Sequence, residues 1–149
     1  MIPKAAHALI ESRSFECILL AHPRVELLRQ VQAELSRIPN LAIISTGQEL
    51  GRFLLDKPRA ERGRLAQDWL LGRESGSLKD IALLTEIDLL FEPSFGLDPL
   101  MLFRQAGRRG PLIVLWPGEY KGGLLTYAVP EHRHYRVWHS PDVQVFAID

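Results

Sequence analysis

Apolar residues fall into short unbroken runs separated by amphipathic stretches. Phe15–Ala21, Leu41–Ile44, Ile81–Leu84 and Leu112–Trp116 are such runs, and Val143–Ile148 is a fifth candidate. Runs this short, without alternation, predict strands buried on both faces of a sheet. Between the first two, Leu27, Leu28, Val31, Leu35 and Ile38 recur at helical spacing over Arg24–Ile38, with Arg29, Glu34 and Arg37 on other faces. Pro39-Asn40 stops that helix. Gln48–Leu55 predicts a helix with Leu50, Phe53 and Leu54 inward, and Leu65–Leu71 a shorter one around Trp69. Asp98-Pro99 is a strong helix start, a capping carboxylate before a proline whose missing N–H costs nothing in the first turn. The helix it opens runs to about Ala106 and is apolar nearly all round.

The remaining segments are less regular. Met1–Ser14 reads as a leading helix or arm. Lys57–Arg64 is charged and irregular, and Glu74–Ser77 is a turn. Leu89–Phe91 is a second apolar run after the third strand, and Leu124–Val129 alternates weakly before Pro130. The order is β-α-β-α-α-β-α-β with a mixed tail. This predicts one α/β domain over 1–149: three layers, with helices on both faces of a mostly parallel sheet of about five strands.

Composition narrows the function classes. With 149 residues, 46% hydrophobic and 24% charged, the chain is long enough for one ordinary core. Eighteen basic residues balance eighteen acidic ones, which argues against coating nucleic acid by bulk charge. Cys17 is the only cysteine, so no intramolecular disulfide and no multi-cysteine zinc site can form; within an apolar run it reads as a buried hydrophobe. Met1–Ile10 has no sustained apolar core, so no signal peptide is expected. No apolar stretch approaches the ~20 residues of a membrane span, and the expected setting is cytoplasmic, with no membrane partner.

In such a fold the turn after the first strand is the first place to seek a ligand. A phosphate-binding P-loop needs glycines to free its backbone N–H groups, a Lys for the β/γ oxygens and a hydroxyl for Mg²⁺. His22-Pro23-Arg24-Val25 supplies none of these, and Pro23 lacks an N–H. Arg24 remains as one weak candidate for an anion. At the end of the third strand, Thr85-Glu86 resembles a Walker B segment whose Asp has become Thr85. Glu86 holds the place of a catalytic base; it and Asp88 equally suit local pairing with an Arg.

Asp80–Pro99 holds five acidic residues and no Lys or Arg. Arg104, Arg108 and Arg109 follow at the end of the next helix. There they favour the helix dipole, or form a basic patch for an acidic partner or a nucleic-acid phosphate. His132, His134 and His139 fall within eight residues without a Cys nearby, which suits a loop better than a metal site.

From Thr85 to Trp138 a series of short motifs stands out. Leu90-Phe91, Pro93-Ser94, Asp98-Pro99-Leu100, Trp116-Pro117-Gly118 and Leu125-Thr126-Tyr127-Ala128, then Pro130 and His132, stand in order, and Gly47-Gln48-Glu49-Leu50 with Leu54-Leu55 fits upstream. Over roughly residues 15–138 the chain resembles BrxF, the small P-loop component of type III BREX phage-exclusion systems. The resemblance implies a P-loop NTPase-like fold with a degenerate nucleotide site. It implies a role in a multi-protein antiviral defence whose other members would be the partners, and it admits a homo-oligomer and DNA contact through the complex. The family's Gly-Lys-Thr is missing at His22–Val25, so hydrolysis does not carry over. The expectation is a non-catalytic assembly subunit with no cofactor; ATP with Mg²⁺ belongs only to a rival reading as a nucleotide-dependent component, and a DNA-binding module is the third. Trp116, Tyr120, Tyr127 and Tyr135, with His132, are expected either to anchor a partner or to pack along a sheet edge.

Overall fold

A computed structural model describes residues 1–72, 80–129 and 131–149 of the chain. The turn expected at Glu74–Ser77, and Pro130, lie outside the described residues. Five helices are described: α1 (Lys4–Ser12), α2 (Val25–Leu35), α3 (Thr46–Leu54), α4 (Arg62–Leu71) and α5 (Pro99–Gly107). Strands β1 (Cys17–Ala21), β2 (Leu41–Ser45), β3 (Ile81–Thr85), β4 (Leu112–Trp116) and β8 (Gln144–Ala147) form one parallel sheet in the order β2-β3-β4-β1-β8. Strands β5 (Tyr120–Lys121), β6 (Leu124–Tyr127) and β7 (Arg136–His139) form a small antiparallel sheet.

The three layers follow from side-chain alternation. Cys17, Leu19 and Ala21 of β1, with Leu112, Val114 and Trp116 of β4, face α3, α4 and α5. Ile18 and Leu20, with Ile113 and Leu115, face α1 and α2. Every residue of β1 and β4 is buried, as their unbroken apolar runs require. The chain leaves β1 over one face towards β2 and returns over the other through β3 and β4, which keeps the crossovers right-handed. The leading segment is a helix that belongs to the core, burying Ala6 and Ile10. No described helix is long and apolar enough to cross a membrane.

Several expectations change. β2 is an edge strand with Ala42 and Ile43 exposed, so its apolar run does not mean burial on both faces. Phe53 is exposed beneath the Lys57 ammonium, 5.1 Å from its ring centre, because Thr46, Leu50 and Leu54 make the buried stripe of α3. Leu89–Phe91 is part of a 3-10 turn, Ile87–Phe91. Helix α2 stops at Leu35, three residues before Ile38. Arg62–Arg64, expected to be irregular, forms the first turn of α4. Asp98 caps α5 as its sequence demands, accepting from the Met101 N–H at 3.3 Å.

Candidate functional site

Between β1 and β4 the direction of the outgoing connection reverses: β1 leads to β2 on one side and β4 to β8 on the other. Ligands of open α/β sheets bind outside the strand C-termini at such a switch point. Here that place is bounded by the His22–Arg24 connection, the start of α2, the end of β3 and Pro117 after β4. It contains a cleft of about 90 Å³ lined by Val25, Leu28 and Arg29 of α2, by Thr85–Asp88, and by Leu115 and Pro117. Binding sites for small organic ligands usually enclose about 300–1,000 Å³, so a nucleotide would have to open this cleft.

The His22–Arg24 connection holds its own amides. The His22 N–H donates to the Trp116 carbonyl at 3.1 Å, which ties the loop to the end of β4. Its Nδ1 accepts the Arg24 N–H at 2.9 Å. An imidazole therefore takes one amide that a phosphate would use, and Pro23 has none to offer. The side chain of Arg24 is exposed at the start of α2.

Glu86 sits in the left-handed region, with φ 52° and ψ 53°. For a residue with a Cβ this is uncommon and implies local support. Ser45 at the end of β2 supplies it: its Oγ donates to Glu86 Oε2 at 2.7 Å and accepts from the Gln48 N–H at 3.3 Å. One hydroxyl thus caps α3 and fixes the carboxylate. Gly47 lies against the same group; a Cβ there would stand 3.2 Å from Glu86 Oε2. Thr85 turns its hydroxyl to the Ile44 carbonyl at 3.4 Å and is buried.

Asp88 has a different partner. It accepts from the Tyr127 hydroxyl at 2.5 Å. Burial, then the bond to Asp88 and its charge, push the Tyr127 phenol above its ordinary value, against a smaller opposing effect of Arg136. Tyr127 stacks on Phe91 with ring centres 3.7 Å apart, and Trp116 meets both rings edge-on. Trp116 Nε1 donates to the Thr126 carbonyl at 2.7 Å. Both Trp116 and Tyr127 are buried, so of the two roles open to these aromatics, packing beneath the small sheet is the one realised. Tyr120 and Tyr135 are half-buried, and His132 is exposed, 5.9 Å from the Tyr127 ring.

The three arginines do not share one surface. Arg104 pairs with Asp142 at 2.9 Å, and Arg109 donates to the Leu71 carbonyl at the end of α4. Arg108 is exposed and lines, with Arg104, a groove of about 530 Å³ that also holds Glu16 and Asp142. Two carboxylates against two guanidiniums leave that groove without excess charge. His132 and His134 are neighbours, ring centres 5.6 Å apart, while His139 lies at the far end of β7, opposite Leu124. Among the described residues no group of three metal-ligating side chains is present.

Sequence reading identified Glu86 and Asp88 but missed Ser45 and Gln32, which reach the same region from β2 and α2. The available signal was Ser45 before a helical pattern, an N-cap spelling. Comparison with models of known families, with curated proteins and with solved structures returns no match.

Proposed function

We propose that this chain is a P-loop NTPase-like scaffold that has given up nucleotide chemistry and serves as a BrxF-like assembly subunit of a BREX-type phage-exclusion system. The sequence resemblance supplies the system. The sheet supplies support for the scaffold: five parallel strands, with β4 inserted between the strand that would carry a phosphate loop and the strand with the acidic end. The observation that carries the non-catalytic part is the His22–Arg24 connection. Its first amide is bound to Trp116, its second residue is a proline, and its third amide is bound to an imidazole. Such a turn offers phosphate too little to replace hydration. On this reading partners are held by surface, and neither ATP nor Mg²⁺ is needed.

Calorimetric titration with ATP and Mg²⁺ tests it. The scaffold reading predicts no binding at micromolar ligand. Binding in that range, abolished by Glu86→Gln, would establish the nucleotide-dependent rival instead. Affinity capture from the native operon tests the system: a methyltransferase, a PglZ-like phosphatase and a large ATPase should be retained together. The third reading, a DNA-binding module, has less support because Asp142 already pairs with Arg104 and the Leu71 carbonyl already engages Arg109; salt-dependent DNA affinity lost on substituting Arg104, Arg108 and Arg109 would establish it instead.

A further inference from the structure

We propose that the chain forms a two-fold dimer by pairing β2 with β2 of a second copy. This stands independently of the defence reading. β2 is the outer strand of the sheet, and among the described residues no strand pairs with its outer edge. The Ile81 N–H donates to the Asn40 carbonyl, so Asn40, Ala42 and Ile44 turn their backbone groups inward to β3. Leu41, Ile43 and Ser45 turn theirs outward. Soluble proteins usually protect such an edge with Lys, Pro, a bulge or a covering loop. Leu41–Ser45 contains no charge and no proline, and its central residue Ile43 is 39% exposed.

The occupant follows from symmetry and charge. Paired antiparallel about an axis through Ile43, each Ile43 exchanges N–H and C=O with its counterpart, and Leu41 meets Ser45. The flanking helix fits the same axis. Gly47 on α3 faces Glu86, one strand inward, so Glu49, Arg52 and Phe53 lie towards the opposite, outer flank. All three are exposed. From the junction of β2 and α3, two strand residues descend about 6.6 Å to Ile43, the rise of about four to five helical residues. The axis therefore falls level with the interval between Glu49 and Arg52. Two antiparallel copies of α3 then set Glu49 of each level with Arg52 of the other. The interface closes over Ile43 on one face of the sheet and Phe53 on the other, and the two five-stranded sheets become one.

Sedimentation velocity on the full chain, loaded at about 1 to 300 µM to bracket a micromolar dissociation constant, tests this. The expected species has twice the 16.9 kDa of the chain. Ile43→Lys should raise the dissociation constant at least about tenfold, because it buries an unpaired ammonium at the seam. Val137→Lys, an exposed apolar position on the small sheet, should leave the dimer intact. A wild-type monomer at every concentration, or a dimer untouched by Ile43→Lys, overturns the proposal. Should Ile43→Lys fail to fold, charge reversal decides: Arg52→Glu should weaken the dimer and Glu49→Arg with Arg52→Glu should restore it. A double variant no tighter than the single one overturns the proposal as well.

Discussion

Tyr127 and Asp88, 39 residues apart, are joined by a 2.5 Å hydrogen bond between the small sheet and the turn that follows β3. Tyr127→Phe keeps the stack on Phe91 and removes only this bond. Asp88 is exposed and regains water, so the loss should be about 1–2 kcal/mol, near the low end for a bond to a charged group. Tyr127→Ala also removes a buried ring and should cost about 3–5 kcal/mol. Urea unfolding of the three proteins checks both values, and equal losses for the two variants would show that the ring stack contributes nothing.

The same bond fixes a pH dependence. The folded state raises the Tyr127 pKa, so it holds a proton that the unfolded chain releases near pH 10. Stability from this group is complete below that pH and falls as pH rises above it. Tyr127→Phe should flatten the alkaline slope measured above about pH 10. An unchanged slope would place the alkaline loss elsewhere.

Cys17 contributes to that loss from a lower pH. Burial first, and the Glu16 charge second, push its thiol up to about 12. An unfolded thiol ionises near pH 8.5, so this contribution is present below that value and lost from there towards pH 12. Native protein at pH 8 should leave Cys17 unmodified by a thiol reagent, and urea should expose it at once. Rapid modification of the folded protein would contradict its burial.

How much of this was legible depends on the range of the contact. β1, β3 and β4 were readable because a strand buried on both faces must be apolar throughout. β5 and β7 were not: Tyr120–Lys121 is two residues long, and Arg136–His139 mixes charge with aromatics. The acidic end of β3 was readable as a site, but the separate partners of Glu86 and Asp88 were not. Those partners are Ser45 and Tyr127, 41 and 39 residues away. Likewise the word Trp116-Pro117-Gly118 stands out in sequence, yet only the fold shows that its tryptophan donates to the Thr126 carbonyl of the small sheet.

Ser45 should behave as a cap with two clients. Ser45→Ala removes the acceptor for the Gln48 N–H and the donor to Glu86. The expected loss is about 1 kcal/mol for the cap, with a further few tenths for an exposed carboxylate. Glu86→Gln keeps a side-chain oxygen for the Ser45 hydroxyl and should lose less than Ser45→Ala. Thermal melts of both variants check the ordering; a larger loss for Glu86→Gln would mean that the carboxylate charge, not the cap, holds this turn.

Two glycines should respond in opposite directions to alanine. A Cβ on Gly118 would lie 1.8 Å from the Thr126 carbonyl oxygen, the acceptor of the Trp116 indole N–H. Relief must come from backbone, since no flexible side chain stands in the way. Gly118→Ala should therefore cost about 3 kcal/mol, the upper end of overpacking penalties, and should loosen Trp116 as its acceptor shifts. Gly51, inside α3, meets nothing within 4 Å, so alanine there adds helix propensity without contact. Gly51→Ala should stabilise by about 0.5–1 kcal/mol. Denaturant titrations, with tryptophan fluorescence to follow Trp116, separate the two. A neutral Gly118→Ala would mean that the small sheet can move away from β4, and that the packing of Trp116 does not hold the two sheets in register.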